Sequence, residues 1–251
     1  MQEPTKTFGN PSPTETDAYT RLVKLLRTWQ IPDNEVLKDL PVFLTRSTLG
    51  HILFLDSLYR QIQNVSGCVF EFGVRWGRTQ SLFASLRTIY EPYNMSRKLV
   101  GFDTFEGFPS VAKEDGSHEG VQVGALNVSE NYEQFLTELL QAQQDLGPRS
   151  HMQRFELVKG DATKTLPVYL NEHPETVCAL AYFDFDIFEP TKKCLDALSG
   201  VITKGTVLAF DEIGHNAFPG ETLAVKEALG LRNVALKKDP RVPFASYLVV
   251  E

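Results

Sequence analysis

The chain has 251 residues, of which 42% are hydrophobic, and it carries a formal net charge of −7 at pH 7. This length and apolar content suit one large α/β domain with elaborations, or at most two small domains. The acidic balance, without any cluster of lysine and arginine, argues against a nucleic-acid partner.

The N-terminus and the cysteines indicate the cellular compartment. Residues 1–17 are polar, contain three prolines and lack the apolar core of a signal peptide, and no segment reaches the length of a membrane span. Cys68, Cys178 and Cys194 show neither zinc-ligand spacing nor an even number for disulfides. We therefore expect a cytoplasmic protein with buried free thiols and no membrane contact.

Apolar periodicity predicts the elements in chain order. A loose arm over residues 1–17 precedes helices at 19–29 and 47–62, a strand at 67–73, a helix at 79–89 and a strand at 98–103. There follow a helix at 131–144, a strand at 155–159, a helix or turn at 163–171, a strand ending at Asp184, a helix at 191–199, a strand ending at Asp211 and a helix at 221–229. Residues 234–238 and 244–250 are predicted to form a closing antiparallel pair.

Strands that alternate with helices along most of the chain predict an α/β fold with a mainly parallel, Rossmann-like sheet. Residues 1–43 are expected to form an arm and a helical cover, and residues 44–251 the main domain. Residues 105–129 are glycine-rich, polar and too long for an ordinary loop, so we expect a functional lid or wall there.

Four carboxylates follow two apolar runs. Asp184 and Asp186 end the first run, and Asp211 and Glu212 end the second. Ligands of open parallel sheets bind beyond the carboxyl ends of the strands, so these acids should meet in one crevice. Their mutual repulsion favours a bound hard cation such as Mg²⁺, Ca²⁺ or Mn²⁺. The alternative for any one of them is that it caps the following helix.

The turn after the first strand indicates a nucleoside ligand with a cationic tail. Gly73 and Gly77 lie where the strand passes into a helix, but the three-glycine pattern of dinucleotide binders is absent. Glu71 would repel a diphosphate and attract an amine, and Asp103 at the end of the second strand could accept hydrogen bonds from both ribose hydroxyls. This combination favours S-adenosylmethionine over NAD, although tight packing also accounts for the glycines.

Asp161 follows the third strand within the sequence Lys159-Gly-Asp-Ala162. Its carboxylate could accept a hydrogen bond from an adenine amino group. It could equally be the N-cap of the next helix, and both roles could hold together.

The motifs resemble those of the macrocin-type O-methyltransferases, which are metal-dependent sugar methyltransferases of antibiotic biosynthesis with a class I methyltransferase fold. The resemblance extends from about Leu44 to the C-terminus. It rests on Glu71-Phe-Gly-Val-Arg-Trp-Gly77, Phe102-Asp-Thr-Phe-Glu-Gly-Phe-Pro109, Lys159-Gly-Asp-Ala162, Asp184-Phe-Asp-Ile-Phe-Glu-Pro-Thr191, Phe210-Asp-Glu212 and the segment Phe218–Val225.

The resemblance implies roles for individual residues. Asp184, Asp211 and Glu212 would bind Mg²⁺ or Mn²⁺, and Asp186 would be a general base. The residues expected to bind S-adenosylmethionine are Glu71, Gly73, Arg75, Thr79, Asp103, Thr104, Gly160, Asp161, Ala162 and Asp184. Among these, Glu71 and Gly73 would border the methionine part and Asp103 the ribose.

The chain departs from the family pattern in three places. Glu212 stands where a second aspartate is expected, Phe185 replaces a small residue, and residues 110–130 do not align. These changes could displace the ion slightly and narrow the pocket, and residues 110–130 should shape the choice of acceptor.

Methyl transfer to a neutral sugar hydroxyl needs proton removal and placement of the attacking oxygen. A cation held by the three ligands would lower the pKa of that hydroxyl, and Asp186 would take the proton. Asp186 could instead cap the next helix. His215 is a second base candidate, with a surface loop histidine as the alternative. Phe105, Phe108 and Phe188 could pack on the acceptor, although core packing explains each equally well.

Two other functions remain open from the sequence. A metal-dependent O-methyltransferase of catechols would use the same chemistry, and a non-catalytic nucleotide- or metal-binding protein would need only the binding residues. The partner expected is a small sugar-bearing acceptor. A homo-oligomer is also expected, with the apolar helix at 47–62 as a plausible interface.

Overall fold

The computed structural model describes residues 12–251, so residues 1–11 of the predicted arm lie outside the described part. The chain divides into two compact units, one ending at Leu49 and the other spanning Gly50–Glu251. The predicted division after residue 43 remains a prediction.

The first helix, α1 (Pro13–Arg27), begins earlier than predicted. Ser12 Oγ accepts the Glu15 N–H at 3.3 Å, and Glu15 Oε2 accepts the Ser12 N–H at 2.8 Å. This reciprocal cap satisfies two of the free N–H groups at the start of the helix, and the proline at the first helical position has no N–H to satisfy. The prediction of a loose arm up to residue 17 was therefore wrong from residue 13 onward. A short helix, α2 (Val36–Asp39), follows.

The remaining elements alternate as the sequence predicts. The helices are α3 (Arg46–Gln61), α4 (Arg78–Tyr90), α5 (Tyr132–Asp145), α6 (Ala162–Glu172), α7 (Phe188–Leu198) and α8 (Gly220–Leu229). The strands are β1 (Cys68–Phe72), β2 (Leu99–Asp103), β3 (Phe155–Lys159), β4 (Cys178–Phe183), β5 (Ile202–Phe210), β6 (Lys237–Lys238) and β7 (Ser246–Val249). Helix α7 starts three residues before the predicted Thr191, and it includes Pro190, which is tolerated in a first helical turn.

The seven strands form one sheet in the order β3-β2-β1-β4-β5-β7-β6. The first five pair in parallel, whereas β7 is antiparallel to both β5 and β6. The predicted Rossmann-like sheet with a closing antiparallel hairpin is thus confirmed. From β1 the chain first adds β2 and β3 on one side of the sheet, and it then adds β4 and β5 on the other side. Open α/β sheets bind ligands at such a topological switch point.

Both faces of the central strands are buried, which explains their continuous apolar sequence. Alternate residues supply two cores. Leu180 and Tyr182 belong to the core on one face, and Phe72 and Phe183 belong to the other, where their rings stack at 4.8 Å between centroids.

A buried arginine ties the carboxyl ends of α3 and α4 together. Arg97 is 1% exposed and donates to Glu91 Oε2 at 2.8 Å. It also donates to the carbonyl oxygens of Ile62 at 2.8 Å and Val65 at 2.9 Å. The guanidinium therefore satisfies backbone groups at the end of α3 while Glu91 balances its charge.

The three cysteines are free and buried, as predicted. Within residues 12–251, no helix combines the length and apolarity needed to cross a membrane.

Candidate active site

The carboxyl ends of the central strands finish level with one another. The N–H of Gly73 donates to the Phe102 carbonyl at 2.9 Å, and that of Asp184 donates to the Phe72 carbonyl at 2.8 Å. The N–H of Asp211 likewise donates to the Phe183 carbonyl at 3.0 Å. The strand ladder thus continues one residue past each strand and aligns the acids that follow.

The register of the sheet places these acids on one face. Glu71 pairs with Gly101 on one side and with Tyr182 on the other, and Tyr182 pairs with Ala209. Because side chains alternate along a strand, the residues two positions later also share that face. The next row therefore contains Asp103, Gly73, Asp184 and Asp211, with Glu71 in the row beneath.

Backbone strain is concentrated in the loops that leave these strands. Arg75, Phe105 and Asp186 have φ values of 48°, 57° and 63°, in the left-handed region. Each follows a different central strand within three residues. Non-glycine residues in this region cost roughly 1–3 kcal/mol and are frequent at functional sites. The strain therefore indicates that the functional site lies at this edge of the sheet.

Gly73 is required by the close approach of β1 and β4. Its φ is 93°, and a Cβ atom there would lie 2.1 Å from the Asp184 carbonyl oxygen. The packing explanation of this glycine is therefore valid.

Glu71 is a buried carboxylate with an unsatisfied atom. It is 1% exposed, and its Oε2 has no hydrogen-bond partner among the described residues. Burial, followed by the neighbouring Asp184 and Asp103 carboxylates, raises its pKa well above the usual value. An unpaired buried acid is unfavourable, so this site suits a positively charged ligand group.

Asp103 is already engaged by the backbone. Its Oδ2 accepts the Arg75 N–H at 2.8 Å and its Oδ1 accepts the Phe105 N–H at 2.5 Å. Burial raises its pKa, and these hydrogen bonds oppose the rise. A carboxylate has about four lone-pair sites, so both oxygens retain acceptor capacity for hydroxyl groups.

The two predicted cofactor-binding threonines have partners within the protein. Thr104 Oγ1 donates to the Gly107 carbonyl at 2.7 Å. Thr79 is 2% exposed, and its Oγ1 lies 3.3 Å from His51 Nε2. The structure thus gives both hydroxyls local roles.

The turn after β3 lies beside the end of β2, because the Gly160 N–H donates to the Asp103 carbonyl at 2.8 Å. Asp161 is the N-cap of α6, and its Oδ1 accepts the Thr163 N–H at 3.0 Å and the Thr163 hydroxyl at 2.7 Å. Ala162 is buried at the start of the same helix. The capping role of Asp161 is therefore present, and its adenine contact remains a prediction.

Asp184, Asp186, Asp211 and Glu212 are all partly exposed, as expected for side chains that line a crevice. Burial and then Asp211 and Asp186 raise the pKa of Asp184 well above its ordinary value. Burial, with Asp211 and Asp184, raises the pKa of Glu212 to about 8. Both shifts thus arise from burial and from the neighbouring carboxylates, and the joint role of the four acids stays a prediction.

Asp186 is not a helix cap. The N-cap of α7 is Ile187, which makes no side-chain capping hydrogen bond, and the Phe188 N–H is accepted by Asp115 instead. Burial, followed by the Glu212 and Asp211 carboxylates, raises the pKa of Asp186. The capping alternative for Asp186 is therefore wrong.

Two buried residues that sequence reasoning missed hold the second acidic pair. The Tyr182 hydroxyl donates to Asp211 Oδ1 at 2.6 Å, and Glu221 Oε2 accepts the Glu212 N–H at 2.7 Å. Tyr182 could have been found, because it lies two residues before Asp184 and therefore on the same face. Glu221 lies in α8, and no local pattern connects it to Glu212.

His215 is buried rather than on the surface, so the alternative of a surface loop histidine is wrong. It is 9% exposed, and its ring packs 4.4 Å from the Phe244 ring between centroids. Burial and then His118 lower its pKa, and its Nδ1 has no hydrogen-bond partner in the described part of the chain. Its role as a base remains a prediction.

Residues 105–130, here named the wall segment, form a loop that is closed by backbone hydrogen bonds. The Phe108 N–H donates to the Ala125 carbonyl at 3.0 Å, and the Gly124 N–H donates to the Phe108 carbonyl at 2.9 Å. The ring centroids of His118 and Phe218 lie 5.3 Å apart. Phe105 and Phe108 are buried, which agrees with the core-packing explanation for both, whereas Phe188 is only partly buried.

In the part of the chain that the structure describes, no three His, Cys, Asp or Glu side chains are grouped so that they could hold a metal ion. The four acids are neighbours without the arrangement of a formed metal site. The predicted metal therefore remains a matter for experiment.

The fold and the acids along its ligand-binding edge define a Rossmann-like class I methyltransferase. CalS11, a calicheamicin methyltransferase, is 44% identical to this chain. The alignment covers 98% of this chain and 96% of the CalS11 chain, and the two structures superimpose with a TM-score of 0.94. The apo structure of CalS11 is described as a TDP-rhamnose 3'-O-methyltransferase of calicheamicin biosynthesis. It is 41% identical to this chain, the alignment covers 98% of this chain and 99% of the CalS11 chain, and the TM-score is 0.85. The chain therefore belongs to this family of sugar O-methyltransferases, and it is an S-adenosylmethionine-dependent O-methyltransferase.

A more distant structure shows the same fold. The O-methyltransferase NovP is 19% identical, with coverage of 80% of this chain and 79% of its own and a TM-score of 0.60. No protein-family model and no curated protein sequence matches the chain.

Proposed function

We propose that this protein is a divalent-cation-dependent, macrocin-type methyltransferase that transfers a methyl group from S-adenosylmethionine to a sugar hydroxyl. A nucleotide-linked deoxysugar is the acceptor we favour. The observation that carries the acceptor class is the 44% identity to CalS11 over 98% of the chain. CalS11 itself is described as acting on TDP-rhamnose.

The crevice at β1 and β2 fits the cofactor. The unpaired Oε2 of buried Glu71 suits the amino group of the methionine part, and the remaining lone pairs of Asp103 suit the ribose hydroxyls. The turn containing Gly160, Asp161 and Ala162 lies next to Asp103 and suits the adenine. Bound S-adenosylmethionine supplies the electrophilic methyl group.

The chemistry of the donor set fits a hard cation. Asp184, Asp211 and Glu212 would hold Mg²⁺ or Mn²⁺, because both ions prefer carboxylate oxygens. Glu212 Oε2 is buried and without a hydrogen-bond partner in the described chain. Burial and then the neighbouring carboxylates raise the pKa of Asp184, and a cation would neutralise the repulsion from those carboxylates. When bound, such an ion supplies Lewis acidity that makes a sugar hydroxyl easier to deprotonate.

The chain's own side chains then orient the acceptor and remove its proton. Asp186 interacts with the Asp211 and Glu212 carboxylates, has a strained backbone conformation and caps no helix, and we assign it the proton of the attacking hydroxyl. The Tyr182 hydroxyl orients the Asp211 carboxylate, and Glu221 fixes the backbone of Glu212, each through one hydrogen bond. His215 is the second candidate for the base.

The acceptor class can be tested with purified protein, S-adenosylmethionine and Mg²⁺. We expect mass spectrometry to show one methyl group added to TDP-rhamnose and none added to a simple catechol such as 3,4-dihydroxybenzoate. If only the catechol is methylated, the acceptor is an aromatic compound and the sugar assignment is wrong. Binding of S-adenosylmethionine without turnover of either acceptor would contradict the assignment of both acceptor classes.

A further inference from the structure

Asp115 is a buried acid of the wall segment that the proposed function does not use. It ends a short turn over Lys113–Asp115, and it is 1% exposed although its neighbours Glu114 and Gly116 are exposed. An aspartate in an ordinary surface loop would remain hydrated, so its burial needs a specific explanation.

Both oxygens of Asp115 accept backbone hydrogen bonds. Oδ2 accepts the Ala112 N–H at 2.6 Å, within the wall segment, and Oδ1 accepts the Phe188 N–H at 2.6 Å, at the first residue of α7. Helix α7 has no side-chain cap of its own. Asp115 therefore supplies the missing cap from a distant part of the chain, where a negative charge also interacts favourably with the helix dipole.

The start of α8 closes around the same carboxylate. A Cβ atom at Gly220 would lie 2.4 Å from Asp115 Oδ1 and 2.7 Å from the Phe188 nitrogen. A Cβ atom at Gly116 would lie 3.2 Å from Pro219 Cδ, just before that helix. The absence of a side chain at Gly220 is thus what allows the three segments to meet at one carboxylate.

This junction adjoins the four acids Asp184, Asp186, Asp211 and Glu212, here named the acidic cluster. Phe188 follows Asp186 by two residues, and Gly220 precedes Glu221, which accepts the Glu212 N–H at 2.7 Å. A displacement of the wall segment would therefore act on the loop carrying Asp186 and on the helix that holds Glu212.

We propose that Asp115 is a positioning residue that fixes the wall segment to the starts of α7 and α8, and thereby sets the acceptor pocket against the acidic cluster. Its effect on the acceptor rests on the proposed function, whereas its effect on the position of these loops does not. Aspartate is suited to this place because the two N–H groups meet different oxygens, and an asparagine would have an acceptor atom at only one of these two positions.

The test compares Asp115→Ala and Asp115→Asn with Glu114→Ala, which removes the adjacent exposed acid. Hydrogen–deuterium exchange should rise in Asp115→Ala over residues 105–130, 184–190 and 211–221, and rise less in Asp115→Asn, which keeps one acceptor. Glu114→Ala should match the wild type. If Asp115→Ala does not fold, Asp115→Asn decides the question with the same readouts.

The kinetic readout separates positioning from general stability. The KM for TDP-rhamnose should rise on the order of 10-fold or more, as expected when charge-assisted hydrogen bonds are lost, while calorimetry shows unchanged affinity for S-adenosylhomocysteine. Unchanged exchange in the wall segment, or raised exchange with an unchanged KM and kcat, would overturn the proposal.

Failure of the proposed function gives a different pattern. If the wild type does not methylate TDP-rhamnose, the acceptor assignment is wrong and the exchange data decide the role of Asp115. Raised exchange at both 184–190 and 211–221 would then keep Asp115 as the positioning residue of these loops. A change confined to residues 105–130 would overturn it.

Discussion

Asp103 joins the backbone of two strand-end loops to the predicted ribose site, so its removal should be visible in cofactor affinity. Asp103→Ala deletes the acceptor for the ribose hydroxyls and for the Arg75 and Phe105 N–H groups. We expect S-adenosylhomocysteine affinity to fall by about 1.5–3 kcal/mol, or on the order of 10- to 100-fold. Isothermal titration calorimetry measures this, and an unchanged affinity would remove Asp103 from the site.

Two isosteric substitutions test whether the proposed metal ligands and the proposed base have separate roles. Asp211→Asn removes one ligand charge and should reduce both Mn²⁺ affinity and turnover, with cofactor affinity nearly intact. Asp186→Asn should depress kcat and leave Mn²⁺ affinity largely unaltered, since a base acts on the proton. Mn²⁺ titration and steady-state kinetics give both values. The same phenotype in both variants would refute the separate roles.

Tyr182 offers a test with a matched control elsewhere in the protein. Tyr182→Phe removes the hydroxyl that orients Asp211, and loss of such a supporting hydrogen bond typically lowers metal affinity or activity by roughly 10- to 100-fold. Tyr90→Phe removes a hydroxyl–carboxylate hydrogen bond of the same 2.6 Å length, to Asp56. We expect only Tyr182→Phe to reduce Mn²⁺ affinity and kcat. Equal effects of the two variants would show that Tyr182 acts through stability.

For individual residues, the sequence predicts which acids lie at strand ends better than it predicts the contacts that these residues make. The strand-end acids are visible because an apolar run stops at each of them. The contacts of Asp115 with Phe188 and of Glu221 with Glu212 join segments whose proximity depends on the whole fold. No spacing along the chain encodes these contacts, so neither residue could be identified from the sequence.

Among the elements, the buried Arg97 links α3 to the end of α4. Arg97→Ala would leave Glu91 buried without its cation and would leave the Ile62 and Val65 carbonyls unsatisfied. Removal of one partner of a buried pair typically costs about 3–5 kcal/mol in the free energy of unfolding. Urea denaturation should show this loss.

The adjacent Lys98 is the control for Arg97. It pairs with Glu156 while remaining about one-third exposed, and Lys98→Ala should cost less than about 1 kcal/mol because solvent screens exposed ion pairs. Similar losses in the two variants would contradict the structural role of Arg97.

The ends of the helices show where element prediction fails. Helix α1 begins at Pro13 because Ser12 and Glu15 cap each other, a signal that is present in the sequence and outweighs its polar composition. Helix α7 begins at Phe188 with a cap from Asp115, a signal that the local sequence lacks. Caps made within four residues are predictable, and caps made by distant residues are not.

For the whole molecule, the alternation of strands and helices predicts the parallel sheet, and the absence of a helix pattern between the last two apolar runs predicts the closing hairpin. The register of the strands completes the explanation, because it places Asp103, Asp184 and Asp211 in one row on one face. The hydrophobic core thus determines the position of the acids, and the loops after the strands determine how they are held.

The dependence of methyl transfer on a divalent cation tests the account most directly. Turnover of TDP-rhamnose with S-adenosylmethionine should be measured in excess EDTA and again after addition of Mg²⁺ or Mn²⁺ beyond the chelator. The account predicts loss of activity in EDTA and recovery with either ion, because Asp184, Asp211 and Glu212 offer hard oxygen ligands. Full activity in EDTA would contradict it and would make the acidic cluster a structural feature.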